Sequence, residues 1–221
     1  MNSPKWSNQI LRQVGIAVAC PMLLFVPLKS ASASDEALKN VTVLGALASY
    51  GFAWLNRSGM ECKQNVRFGI HTGKDNELSS AGISASFQDC DAKLHTLGGS
   101  GLQFRIMPAV NATNWKASSG ANRNGLFEAT LTPRAQFLVP LAGVKFDATL
   151  GIGASYISAT SIGSREKSTG FQFSDELSLG VSDASETVRL AFQYRHISNL
   201  GIKTPNNPVD FRGLTLTVQM R

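Results

Sequence analysis

The residues best suited to covalent chemistry lie near the C-terminus, where one residue separates His196 from Ser198 and Asp210 follows after a loop. In a β-strand, residues i and i+2 project from the same face, roughly 6.6–6.8 Å apart. A loop over 200–209 can return an antiparallel strand that carries Asp210 to the same end of the hairpin. A serine, a histidine and a carboxylate meeting there supply a nucleophile, its general base and the group that orients the base. The alternative is three polar residues that happen to lie beside a loop.

The segment that carries the histidine and serine alternates between an apolar face and a polar face. The same period of two recurs along the chain, in segments 66–70, 83–87, 102–112, 126–139, 144–156, 171–181, 188–198 and 210–218. One face carries charges in segment after segment, which a packed soluble core would not tolerate unpaired. A transmembrane barrel reverses that arrangement, with apolar residues toward lipid and polar residues toward the lumen. The sequence therefore predicts an all-β protein, an eight-stranded antiparallel transmembrane β-barrel.

The N-terminus has the organisation of a secretory signal peptide. Lys5 and Arg12 precede an apolar run, and Ala31-Ser32-Ala33 is a small-residue cleavage site, so we expect 1–33 to be removed. A lipoprotein site at Cys20 is the weaker alternative, because the apolar run continues past it. Residues 34–62 form an extension that could be a periplasmic or interfacial helix or an extra strand, and 63–221 form the predicted barrel.

The charge balance does not indicate a nucleic-acid partner. Removal of 1–33 takes away three basic residues and no acid, which lowers the formal net charge from +6 to +3. Much of the remaining charge falls on predicted lumen positions, where an internal network of ion pairs is expected. These positions are Arg67, Arg105, Arg134, Arg189 and Arg195 among the bases, and Glu128, Asp147 and Glu176 among the acids.

Two cysteines remain in the predicted mature chain, Cys62 just before the first strand and Cys90 at the end of the second. If the chain starts on the periplasmic side, both lie at the periplasmic ends of neighbouring strands, in an oxidising compartment. A disulfide is the first expectation and two free thiols the second. No metal and no cofactor are expected, since His71 and His95 have no cysteine or carboxylate at ligand spacing.

The C-terminal residues resemble those of a known family. The run His196-Ile197-Ser198-Asn199-Leu200-Gly201-Ile202-Lys203, with Pro205-Asn206 and an acid at Asp210, is similar to that of the lipid A 3-O-deacylases of Gram-negative outer membranes. Segments 151–154 and 171–176 stand at similar spacing to the family's fifth and sixth strands. The resemblance is good from about residue 100 onward, weaker over 65–100 and absent before that.

The resemblance implies a serine esterase that removes the 3-O-linked acyl chain of lipid A in lipopolysaccharide, with its site at the extracellular rim of the outer membrane. It implies Ser198 as nucleophile, His196 as general base, Asp210 as the orienting acid and Asn199 as an oxyanion donor. The family acid is usually glutamate, so the shorter Asp210 puts that role in question. Asp175 matches an acidic position of the family and either supports the site or has a structural role at the rim.

Two rival functions remain open at the level of sequence. A non-enzymatic small surface or adhesin-like barrel would not need His196, Ser198 or Asp210. A barrel phospholipase or acyltransferase would use the same residues on a glycerophospholipid. The residues also leave the oligomeric state open between a monomer and a homodimer.

Overall fold

A computed structural model of the protein describes residues 31–93, 101–118 and 125–220. Close contacts divide the chain into two units, Met1–Leu38 and Lys39–Arg221. Of the first unit, the structure describes residues 31–38, which are helical. The predicted signal peptide therefore lies outside the described residues except for its last three positions, and its cleavage stays a prediction.

In chain order the described residues form one long helix, a short 3₁₀ turn and a series of strands. The helix is α1 (Ala31–Leu55), followed by the turn Arg57–Gly59. The strands are β1 (Glu61–Lys74), β2 (Leu78–Lys93), β3 (Gln103–Ala117), β4 (Leu126–Leu141), β5 (Val144–Ile157), β6 (Ser161–Ile162), β7 (Arg165–Glu166), β8 (Phe171–Asp183), β9 (Val188–Ser198) and β10 (Val209–Met220).

Eight long strands close into a barrel in the order β1-β10-β9-β8-β5-β4-β3-β2, and every pair is antiparallel. The predicted fold class is thus confirmed. Short turns join β4 to β5 and β8 to β9 at one end, here called the turn end. Longer connections, 158–170 with the small β6–β7 hairpin and 199–208, lie at the other end, here called the loop end.

The first two strands are longer than their apolar alternation predicted. Alternation covers 66–70 and 83–87, whereas β1 begins at Glu61 and β2 extends to Lys93. The strand ends beyond the apolar belt do not face lipid, so their side chains need not be apolar. Backbone pairing continues there without apolar alternation in the sequence. Cys62 consequently lies within β1 rather than before it. It is directly opposite Cys90 at the turn end, and the two are disulfide-bonded with Cα atoms 4.0 Å apart.

The two faces of the barrel wall have the polarity expected of a membrane barrel. Outward apolar side chains are exposed, such as Ile83 at 62%, whereas the inward Glu128 is 0% exposed. All five arginines predicted to face the lumen have acidic partners there: Arg67 with Asp89, Arg105 with Asp91, Arg134 with Glu176, Arg189 with Asp147 and Arg195 with Glu128. The described part of the lumen is therefore lined by paired charges.

The turn end of the lumen is closed by one carboxylate shared among several bases. Glu186, in the β8–β9 turn, pairs with Arg67, Arg105 and Lys145. Burial alone would raise the pKa of Glu186, but the hydrogen bonds and charges of Arg105 and Lys145 lower it to about 2. This acid therefore stays ionised and ties three strands together.

The loop end of the lumen is closed by an apolar cluster, which the alternation did not predict. Its buried members are Leu78, Trp115, Leu126, Ile157, Ile162, Ile197, Val209 and Phe211. Ile197 and Val209 are register partners on β9 and β10, and both are fully buried. Their packing inside the barrel holds β9 against β10. The next residues, His196 and Asp210, project from the outer face at the same place.

The extension before the barrel is a helix, one of the two alternatives left by the sequence. Over residues 39–55 its small residues Thr42, Ala46 and Ser49 are fully buried, while Leu47 and Trp54 are exposed. Gly45 lies so close to the barrel that an added Cβ would stand 2.8 Å from Leu150 Cδ1. Small residues of this kind let a helix approach a neighbouring backbone in an apolar environment.

Tyr50 of α1 completes a gap in the barrel's hydrogen bonding. Leu131 of β4 pairs with Ala154 of β5, and the next pair is Arg134 with Gly151. The two residues that lie between them on each strand are not paired with each other. There the Tyr50 hydroxyl donates to the carbonyl of Pro133 at 2.5 Å and accepts from the amide of Ile152 at 2.9 Å. Backbone groups without a partner are costly in lipid, so the helix is part of the wall. Within the described residues, no helix is both long enough and apolar enough to cross a membrane.

We expect Tyr50→Phe to lower the free energy of unfolding by about 2 to 4 kcal/mol, because it leaves a buried carbonyl and a buried amide unpaired. The measurement is the midpoint of urea-induced unfolding in detergent micelles. Tyr156→Phe is the matched control, since Tyr156 is exposed on the outer wall. Equal midpoints for the two variants would contradict the bridging role of Tyr50.

Candidate functional site

The predicted histidine lies between two carboxylates on the outer wall, at the loop end of β9. His196 is the register partner of Asp210 on β10 and of Asp175 on β8. Although it projects from the lipid-facing side, it is only 6% exposed, and Ser198 and Tyr194 are similarly buried. The register of three neighbouring strands thus concentrates polar groups on a wall that is otherwise apolar.

A hydrogen bond joins His196 to Asp210, with Nδ1 and Oδ1 2.8 Å apart. Because an ionised carboxylate only accepts, Nδ1 is the donor and Nε2 is left without the ring proton when the imidazole is neutral. The Tyr194 hydroxyl also donates to Oδ1 of Asp210, at 2.6 Å. The shorter side chain of aspartate suffices here because the two residues are directly opposite. The contribution of Tyr194 was not predicted, since an outward tyrosine also fits a lipid-facing position.

Ser198 lies on the same face as His196, two residues further toward the loop. Its Oγ accepts a hydrogen bond from the backbone amide of Leu200 at 3.4 Å. Within the described chain, no hydrogen bond links Ser198 to His196. Hydrogen bonds between catalytic residues are often long before substrate binds. The relevant observation is therefore that Ser198 and His196 lie on the same face of β9, two residues apart.

Asn199 organises the loop that follows the serine. Its Nδ2 donates to Ser168 Oγ at 2.9 Å and to the carbonyl of Lys203 at 2.6 Å. Its Oδ1 accepts from the amide of Gly201 at 3.0 Å. Both side-chain N–H groups are therefore engaged by loop acceptors, and Leu200 is held at a φ of 55°, a conformation rarely adopted by leucine.

Lys167, in the loop between β5 and β8, supports the site from the lumen side. Its Nζ donates to the carbonyl of Ile197 at 3.0 Å, and its backbone pairs with Asn206. Burial lowers the pKa of Lys167 to about 8, with the positive charge of Arg165 acting in the same direction. Sequence reasoning missed this residue, because a lysine within a polar loop carries no signal of burial.

Asp175 is the second carboxylate beside the histidine, on the β8 side. It is 1% exposed, and neither of its oxygens has a hydrogen-bond partner within the described residues. Its electrostatic neighbours are His196 and Lys39, the latter from helix α1. An ionisable group buried in this way at a membrane-facing position indicates a functional role.

The remaining histidines lie away from this site. His71 faces the lumen and forms a 3.0 Å hydrogen bond with Thr113 Oγ1. His95 lies outside the described residues. Among the residues the structure describes, no group of three or more histidine, cysteine or acidic side chains could hold a metal ion.

The closed antiparallel barrel, its apolar outer wall and its charged lumen define a class of protein, the outer-membrane β-barrels of Gram-negative bacteria. The family model for lipid A 3-O-deacylase (PagL) matches residues 80–219. The chain therefore belongs to the lipid A 3-O-deacylase family. Helix α1 lies before the matched residues.

Two relatives illustrate the relationship. The chain is 31% identical over 125 residues to the lipid A deacylase PagL of Bordetella bronchiseptica, across 57% of this chain and 68% of that protein. The crystal structure of the outer membrane enzyme PagL superposes with a TM-score of 0.51 at 16% identity, covering 70% of this chain and 99% of the other. At that identity the second similarity supports the fold alone.

Proposed function

We propose that the protein is an esterase that hydrolyses the 3-O-linked acyl chain of lipid A, with Ser198, His196 and Asp210 as its catalytic triad. The observation that carries the proposal is the His196–Asp210 hydrogen bond on a lipid-facing wall, with Ser198 two residues away on the same face. Membership of the lipid A 3-O-deacylase family supports the substrate class and the location in the outer membrane.

The residues act in the proposed reaction as in other serine hydrolases. His196 Nε2 takes the proton of the Ser198 hydroxyl while Oγ attacks the ester carbonyl. Asp210 stabilises the resulting imidazolium through Nδ1, and the tetrahedral intermediate then expels the sugar oxygen, which receives the proton from His196. Water, activated by the same histidine, hydrolyses the acyl-enzyme and releases the fatty acid.

We assign the oxyanion donor to the Leu200 backbone amide, and to Asn199 the role of holding it in place. The Leu200 amide already points at Ser198 Oγ, whereas both side-chain N–H groups of Asn199 are engaged by the loop. A direct donation by Asn199, as the family resemblance implied, would need the loop to rearrange. A fixed backbone donor in a site of low dielectric is an effective stabiliser of developing negative charge.

The location of the site suits a substrate that stays in the membrane. The two longest connections between barrel strands, 158–170 and 199–208, are at the loop end, and because the longer loops of this class face the exterior, we place the site at the extracellular rim. The lumen there is closed by the cluster around Trp115 and Ile197. The acyl ester therefore reaches Ser198 from the outer leaflet along the wall and does not pass through the barrel.

A non-enzymatic barrel does not explain this arrangement. Two carboxylates, a histidine and a serine on the lipid-facing side cost free energy unless they are paired, and the oxygens of Asp175 have no hydrogen-bond partner within the described residues. An anchor or adhesin would be more stable with apolar residues at these positions. The cluster is therefore better explained by catalysis.

Replacing the nucleophile or the base is the primary test. We expect Ser198→Ala and His196→Ala each to lower release of the 3-O-acyl chain by roughly 10³-fold or more, as triad members do. The measurement is mass spectrometry of lipid A incubated with folded protein. Ser185→Ala, at the turn end, is the matched control. Near wild-type release by folded Ser198→Ala would refute the mechanism.

Two substitutions of Asp210 test its role, one that removes the charge and one that lengthens the side chain. We expect Asp210→Asn to lower the turnover number by about 10²-fold, because it removes the charge that stabilises imidazolium. Asp210→Glu should retain activity, since the Asp210 side chain is partly exposed and its carboxylate would keep the charge beside His196. Initial rates of acyl release decide the matter. If Asp210→Asn stays active while Asp175→Asn does not, Asp175 is the orienting acid.

The loop assignment predicts a split between turnover and binding. Asn199→Ala should lower kcat by about 10-fold to 10²-fold with little change in KM, because it frees the loop that aims the Leu200 amide at the oxyanion. Asn207→Ala is the matched control, an exposed asparagine of the same loop. An unchanged kcat for Asn199→Ala would show that the loop holds without it.

A further inference from the structure

The two long connections of the loop end, 158–170 and 199–208, contact each other beside the candidate nucleophile. The backbone of Lys167, in the first loop, forms an antiparallel bridge with the backbone of Asn206, in the second. The second loop begins directly after β9, whose last residue is Ser198. The position of the first loop therefore bears on how the end of β9 is held.

Further hydrogen bonds strengthen the contact between the two loops. Ser168 Oγ accepts from Asn199 Nδ2 at 2.9 Å and donates to the carbonyl of Lys203, also at 2.9 Å. The amide of Asn207 donates to the carbonyl of Glu166 at 3.0 Å. The two loops are thus joined at several points, and a displacement of one would displace the other.

The side chain of Lys167 connects this junction to β9 itself. Lys167 is only 6% exposed, and its Nζ donates to the carbonyl of Ile197 at 3.0 Å. That carbonyl belongs to the peptide group that joins Ile197 to Ser198. A hydrogen bond from a charged donor is roughly twice as strong as one from a neutral donor. The ammonium therefore restrains the peptide immediately before the candidate nucleophile.

The ammonium of Lys167 has charged neighbours of both signs. Burial, the largest effect, lowers the pKa of Lys167 to about 8, and the charge of Arg165 acts in the same direction. The charges of Asp210 and Glu128 oppose this decrease, but each of these acids also has a basic hydrogen-bond partner of its own. The charged form of Lys167 is therefore present below about pH 8 and is lost as the pH rises above that value.

We propose that Lys167 is a positioning residue for the nucleophile, whose ammonium holds the Ile197–Ser198 peptide in the geometry that ester cleavage requires. The proposal rests on the proposed function for the reaction itself. Lys167 approaches β9 from the lumen side, so it acts through the peptide and does not touch the substrate. A deprotonated amine is a weaker donor than an ammonium. Loss of the proton therefore loosens Ser198 and the loop that follows it.

The first test measures how the reactivity of Ser198 depends on pH. A fluorophosphonate probe forms a phosphorus–oxygen bond with the serine Oγ and releases fluoride, so its labelling rate reports the nucleophile without requiring lipid A. For the folded wild type this rate should fall as the pH rises through about 8, where the ammonium is lost. Lys167→Met should lower the rate at pH 7 by about 10-fold and abolish the fall. Lys203→Met is the matched control, because it removes an exposed lysine from the neighbouring loop and keeps the carbonyl that Ser168 contacts.

Two further measurements use the same variants. With lipid A as substrate, Lys167→Met should lower kcat by about 10-fold and change KM less than two-fold. Amide hydrogen exchange in 199–208 should be faster in Lys167→Met than in the wild type by about 5-fold or more at the same pH.

These measurements distinguish the positioning role from the proposed reaction. A wild-type labelling rate that stays level between about pH 7 and 9 would overturn the role of Lys167, as would unchanged labelling and unchanged exchange in Lys167→Met. If exchange in 199–208 responds to Lys167→Met but the wild type releases no acyl chain from lipid A, the proposed function fails while the positioning role stands.

Discussion

The hydrocarbon of a bilayer offers no hydrogen bonds, so each backbone amide and carbonyl that crosses it must be paired within the protein. Closure of eight strands meets this requirement, and the alternation of side chains then assigns every residue either to lipid or to the lumen. The charged residues lie inside, where Arg195 meets Glu128 and Glu186 joins three bases. The place where strand pairing lapses, between Pro133 and Ile152, is completed by Tyr50 of a helix outside the barrel.

Strand pairing also positions the residues of the candidate site. Strand register places Asp210 and Asp175 on either side of His196, and the inward pair Ile197 and Val209 holds β9 against β10 directly behind it. A hydrolytic triad in a soluble enzyme is assembled from loops around a pocket. The triad proposed for this protein would instead be assembled on the outer wall, beside the membrane that holds the lipid substrate of the proposed reaction.

The outer wall of the barrel differs between the two sides of the candidate site. Residues 39–55 of helix α1 pack one flank of the site with their small residues, whereas the flank formed by β10 and β1 carries exposed apolar side chains such as Leu214 and Ile70. A lipid with a large headgroup has several acyl chains to accommodate as well as charges to neutralise.

The sequence by itself determined the class of fold, the lumen arginines and the catalytic candidates, because a period of two survives in every strand and His196 and Ser198 are local neighbours. It left 34–62 undecided between helix and strand, since an apolar run of that length satisfies both patterns. It could not show the contacts of Tyr194 with Asp210 or of Lys167 with Ile197, because these partners are brought together only by the fold. Nor could it show that aspartate reaches the histidine, because that distance is set by the register of β9 against β10, which only the closed barrel decides.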